Sequence, residues 1–157
     1  MTTFRLRNAA SACLLAALAA PTPAASAHAG TAAPAAGPRM VVIVSAHSGL
    51  GELRADQVAD IFLAQSGRFP DGAEAVALDQ PLGSALREEF YMKVAAKSPA
   101  LMKAYWTKMI FTGRGQPPRE LPGSAEVRKM VAANPKLIGY IDRAELDASV
   151  KAVLVLP

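Results

Sequence analysis

The residues with the plainest chemical potential sit in two loops. Gly83-Ser84 opens a helix just after a short apolar strand. The first N–H groups of a helix have no partner within it and lie at the positive end of its dipole, so this junction favours an anion. Ser84 adds a hydroxyl. Arg87, in the first turn, adds a guanidinium of the kind that grips a carboxylate or phosphate with two parallel bonds. The plainer reading makes Ser84 an N-cap worth about 1 kcal/mol and Arg87 a surface side chain beside Glu88 and Glu89. Asp79, at the head of the loop, is expected to repel an anion. The second loop is Thr112-Gly113-Arg114-Gly115-Gln116-Pro117-Pro118-Arg119. Its glycines let backbone approach a partner, and its prolines stiffen the segment after them. Arg114 and Arg119 suit a carboxylate or phosphate; the alternative is a plain connector.

Other chemistries lack their residues. His47 is a lone imidazole with no His/Asp/Glu cluster in the sequence around it, so no metal site is expected. Ser48 has Ala46 where a nucleophile elbow needs its first glycine. Gly49-Leu50-Gly51 lacks the third glycine of a dinucleotide fingerprint. The single cysteine, Cys13, lies in a segment expected to be removed, so disulfides and thiolate chemistry fall away together. With no nucleophile–base pair to name, the chain is not expected to be an enzyme, and no cofactor is expected.

The elements that must position these loops emerge from periodicity. Met40–Val44 is a β-branched run suited to a strand buried on both faces. Leu53–Ala64 places Val58, Ile61 and Phe62 on one helical face. Ala75–Leu78 is a short strand. Ser84 caps a helix reaching about Val94, and Ser98-Pro99 opens another, with Leu101, Met102, Tyr105, Trp106 and Met109 along its stripe. Ser124 is expected to cap a helix ending at Asn134-Pro135. Leu137–Ile141 and Val150–Leu156 are the last strands. This alternation predicts an α/β fold with one small, mostly parallel sheet and helices on both faces. Such folds bind ligands beyond the carboxyl ends of their strands, which singles out Ser45–Gly51 and Asp79–Ser84.

Three stretches also carry a family resemblance. Leu53-x4-Val58-x2-Ile61-Phe62 followed by Phe69-Pro70-Asp71-Gly72 resembles the "L…L..IF.G…W.DG" stretch of type 2 periplasmic binding proteins, nearest the phosphate-binding ones. Asp79-Gln80-Pro81-Leu82-Gly83-Ser84 followed by Phe90-Tyr91 is similar to their "R…SGT…F..Y" turn. Leu137-Ile138-Gly139-Tyr140-Ile141 resembles their "GAIGYV" strand. The resemblance spans residues 41–141 and implies one lobe of a two-lobe receptor. It implies ligand-binding roles for Ser45, Ser48, Gly83 and Ser84. The family's serine is Leu82 here and its phosphate-pairing arginine aligns with Leu78, leaving Arg87 or Arg114 as counter-charge.

Residues 1–27 read as a secretory signal peptide: Arg5 and Arg7, an apolar stretch from Ala9 to Ala20, and the small-residue site Ala25-Ser26-Ala27. No segment is long and apolar enough to suggest a membrane span. Residues 28–39 form a flexible Ala/Pro-rich lead-in, and residues 40–157 a single domain. The formal charge of +4 on 157 residues owes two of its positive charges to the signal-like segment, and no Lys/Arg cluster points to nucleic acid. Two readings result. One is a periplasmic solute-binding-like protein that takes phosphate or another small anion weakly for an ABC transport system, with a protein partner or homodimer completing the site. The other is an envelope interaction protein that keeps the lobe without a ligand site.

Overall fold

The computed structural model describes residues 39–157. The expected signal peptide and nearly all of the lead-in lie outside the described residues. Five strands form one sheet: β1 (Met40–Ser45), β2 (Val76–Asp79), β3 (Arg119–Glu120), β4 (Leu137–Asp142) and β5 (Val150–Leu156). Four helices flank it: α1 (Ala55–Phe62), α2 (Ala85–Ala95), α3 (Pro99–Phe111) and α4 (Ser124–Ala133). The sheet order is β3-β2-β4-β1-β5.

All six residues of β1 are buried, as expected for a strand covered on both faces. Alternate side chains divide between two cores. Met40, Val42 and Val44 join Ile138 and Tyr140 under α1, α2 and α3, where Val58, Phe62, Phe90 and Trp106 pack. Val41 and Ile43 face the other way and meet Val127 and Val131 of α4. Phe62 and Trp106 thus both lie on inner helix faces, fully or nearly buried.

Four of the five strands run the same way, so the sheet is mostly parallel in direction. The exception is β1. It pairs antiparallel with both neighbours, Val44 lying opposite Ile138 of β4 and Val41 opposite Val155 of β5. β2 pairs parallel with β4 and β3. The register against β5 slips at Val42/Ile43, leaving Val153 as an extra residue. Its carbonyl accepts instead from Leu53 N at 2.7 Å and so anchors the entry to α1.

Local signals placed two of the four helix starts. Ser84 Oγ accepts from Arg87 N, and Ser98 Oγ from Leu101 N with Pro99 in the first turn. Two starts differ from expectation. α1 begins at Ala55, after Arg54, whose N–H donates to Gln57 Oε1 at 2.9 Å. At α4 the N-cap is Gly123, and Ser124 is the first helical residue. The Ser124 hydroxyl is taken by tertiary partners, accepting from Asp142 N at 3.1 Å and Gln80 Nε2 at 3.3 Å. The loop before it also holds β3, two residues that read as connector because they pair only with a distant strand.

Gly139 in β4 lies directly under α4. A methyl group at its Cα would collide with Val127 Cγ1. Overpacking of this kind costs about 1–3 kcal/mol. Gly139→Ala is therefore expected to lose that much stability in urea unfolding, whereas Gly49→Ala, with open space around its Cα, should be nearly neutral.

Candidate functional site

Asp79 ends β2 and is fully buried. A carboxylate is tolerated there only because four donors meet it. Oδ2 accepts from Arg87 Nε at 2.9 Å and from the Tyr91 hydroxyl at 2.8 Å. Oδ1 accepts from Gln80 N at 2.9 Å and from the Tyr140 hydroxyl. The donors come from α2, from β4 and from the residue after Asp79 itself. Arg87 and Tyr91 are four apart and so share one face of α2. Gln80, also buried, ties the end of β2 to β4 through Nε2 to the Tyr140 carbonyl at 3.0 Å.

An aromatic cluster fixes those hydroxyls. Phe90 stacks on Tyr140 with centroids 3.8 Å apart and planes 3° from parallel. Phe62 meets the Phe90 ring at 63° with centroids 4.7 Å apart, an edge contact. Burial first, then the Asp79 charge, push both Tyr91 and Tyr140 far above the ordinary tyrosine range, so both stay protonated donors. Burial alone would lower the pKa of Arg87, but the Asp79 carboxylate outweighs it and the guanidinium is held above its usual value.

Arg87 is only 7% exposed. Its Nε is committed to Asp79, while among the described residues neither Nη nitrogen donates to any acceptor. The guanidinium lines a cavity of about 480 Å³ bounded by the Leu82–Gly83 turn, α2, α3 and the Pro117–Glu120 segment. Lys97 and Lys103 bring positive charge to this cavity, and Glu88 and Glu120 bring negative charge. Glu120 Oε2 accepts from Leu82 N at 3.3 Å, just ahead of α2. Among the described residues no group of three His, Cys, Asp or Glu is placed to hold a metal ion.

The expected site residues divide among three places. Gly83, at φ +78° in the turn, Ser84 as the cap and Arg87 come together at the start of α2. Ser45 and Ser48 do not join them. The expectation that both loops share one sheet edge is corrected, because β1 runs against β2 and β4 and its carboxyl end lies at the opposite edge. Ser45 is fully buried there and donates to the Ala132 carbonyl at 3.2 Å, pinning β1 to α4. Ser48 Oγ accepts from Leu50 N within its own turn. Arg114 is exposed beyond α3, beside a separate hollow formed with Tyr105, Lys108 and Ala64. The expectation that Asp79 repels an anion is also corrected: its charge is buried and matched by Arg87. Sequence reasoning missed Tyr91, Tyr140, Lys97 and Lys103. Only the four-residue spacing of Arg87 and Tyr91 carried a local signal.

No family model matches this sequence, and no curated protein matches it. Solved structures do. A protein of Clostridium perfringens, described as a phosphate ABC transporter substrate-binding protein and solved with bound phosphate, aligns with TM-score 0.57 at 24% identity, over 73% of this chain and 44% of its own. The fold is one that phosphate receptors share. An ABC-type phosphate transport receptor from Vibrio cholerae gives 0.58 at 15% identity, and PstS from Borrelia burgdorferi gives 0.52 at 12%. This chain spans under half the length of each of them. The likeness agrees with the sequence resemblance to phosphate-binding relatives and with the predicted α/β lobe.

Removing one partner of a buried ion pair costs about 3–5 kcal/mol, because the other charge stays buried without its match. Asp79→Asn is therefore expected to lose stability of that order in urea unfolding. A loss under about 1 kcal/mol would show that the pair behaves like an exposed one.

Proposed function

We propose that this protein is an exported solute-binding protein that holds a small anion on Arg87 at the start of α2. The observation that carries the reading is the state of that arginine: buried, locked through Nε, lining a cavity, and with both Nη nitrogens unpartnered among the described residues. A guanidinium so placed keeps its paired N–H fork free for a carboxylate or a phosphate oxygen pair. The α2 N-terminus and the Gly83–Ser84 backbone add positive potential beside it. The fold shared with phosphate receptors supports the same reading.

Export rests on residues 1–27, with their charged start, apolar middle and Ala25-Ser26-Ala27. A periplasmic location and service to an ABC transporter complete the proposal. Among the described residues, no helix is long and apolar enough to cross a membrane. Leu82 is 73% exposed and Ile110 54% at the cavity edge, so a second wall from a partner chain or another copy would enclose the ligand further. Without that wall the affinity is weak, because ordinary pockets cover most of a ligand's surface.

The test tracks arginine side-chain and backbone N–H signals by NMR during titration with phosphate and with acetate. Millimolar anion should shift the Arg87 side chain together with the Gly83 and Ser84 amides, saturably, and Ser45 and Ser48 should not move. No shift at Arg87 with either anion overturns the proposal. A further expected outcome concerns processing: N-terminal sequencing of protein from the periplasm should begin near His28, and a soluble product that retains Met1 would argue against export.

A further inference from the structure

The cavity beside Arg87 is the wrong shape for a bare inorganic ion. Apart from the guanidinium, its walls are largely apolar: Tyr91 of α2, then Pro99, Met102, Trp106 and Ile110 along α3, with Leu82 at the mouth. At about 480 Å³ it falls in the size range of pockets for organic small molecules. A phosphate has no surface with which to dry such walls. The rim charges point the same way. Lys97 and Lys103 are matched by Glu88 and Glu120, and Arg87 is matched by Asp79. The side-chain charges balance in number, which leaves only the α2 N-terminus as positive potential for a multiply charged anion, and Glu120 lies against the Leu82 N–H beside that helix start.

We infer that the ligand is a singly charged organic acid whose carboxylate sits on the Arg87 fork and whose aromatic or branched aliphatic body fills the space between α2 and α3. This rests on the anion site proposed above and names the substrate class of that site. The carboxylate takes the two Nη donors, each a charge-assisted bond. The body covers Met102, Trp106 and Ile110, and the gain comes from apolar surface leaving water on both sides. Trp106 contributes apolar surface to this wall. Its Nε1–H is buried without an acceptor among the described residues and is given no part in binding.

Titration calorimetry of the purified protein with phenylacetate, acetate and inorganic phosphate separates the possibilities. Phenylacetate is expected to bind about ten- to a hundredfold tighter than acetate, the gain that burial of a phenyl-sized group supplies, and tighter than phosphate. Arg87→Lys should weaken phenylacetate and acetate alike by removing the planar fork. Since that variant alters a buried pair, Ile110→Ser offers a second check at a half-exposed position. It should lower phenylacetate affinity severalfold and leave acetate unchanged. Phosphate binding as tightly as phenylacetate, or phenylacetate no tighter than acetate, would overturn the inference while leaving the anion site standing. If none of the three binds, the anion site and the inference fall together.

Discussion

A carboxylate with no access to water governs the interior of this protein. Asp79 would be costly in an apolar core, and its cost is offset only by donors from α2 and β4 arriving together. That requirement couples elements far apart in the chain. α2 must enter at an angle that brings Arg87 and Tyr91 to β2. β4 must lie beside β2 so that Tyr140 reaches the same oxygen pair. The stacked Phe90 and Tyr140 rings then act as the spacer that holds the hydroxyl in place. Polar satisfaction and aromatic packing are here one constraint, because moving either ring would strand a buried group.

The same constraint produces the functional character of the cavity. An arginine free in solution samples many rotamers and loses them on binding. Arg87 has already lost them to Asp79, so its guanidinium is fixed in orientation before anything binds, which is what the proposed anion site requires. Neutralising the pair also removes long-range attraction. What remains is a fixed guanidinium beside a largely apolar cavity wall.

The likeness to phosphate receptors concerns the arrangement of strands and helices at low sequence identity. Fold of this kind leaves the site to be argued from its own residues. Here the turn before α2 carries Gly83 and the capping hydroxyl of Ser84, while Leu78 near the end of β2 is a buried core residue. The guanidinium that lines the cavity belongs to Arg87, in the first turn of α2.

Sequence alone determined most of the elements and their buried faces, although Leu101, expected on the α3 stripe, is exposed. The β-branched run 40–44, the stripe Val58, Ile61 and Phe62, and the caps Ser84 and Ser98 depend on contacts within a turn or two, which local pattern encodes. Half of the site was visible in the same way, since Gly83, Ser84 and Arg87 are neighbours along one turn. Tertiary structure decided the rest. An apolar run reads the same in either direction, so nothing local said that β1 runs against β4, and Ser45 and Ser48 went to the far edge. Ser124 carried a cap's composition, but the buried Gln80 amide and the Asp142 N–H claimed its hydroxyl. Asp79 looked like a repulsive charge because no local pattern shows that Arg87, eight residues on, folds back onto it, or that Tyr140, 61 residues away, donates to the same carboxylate. Whether a carboxylate repels or anchors depends on which donors the fold brings to it, and that is a property of the packed interior.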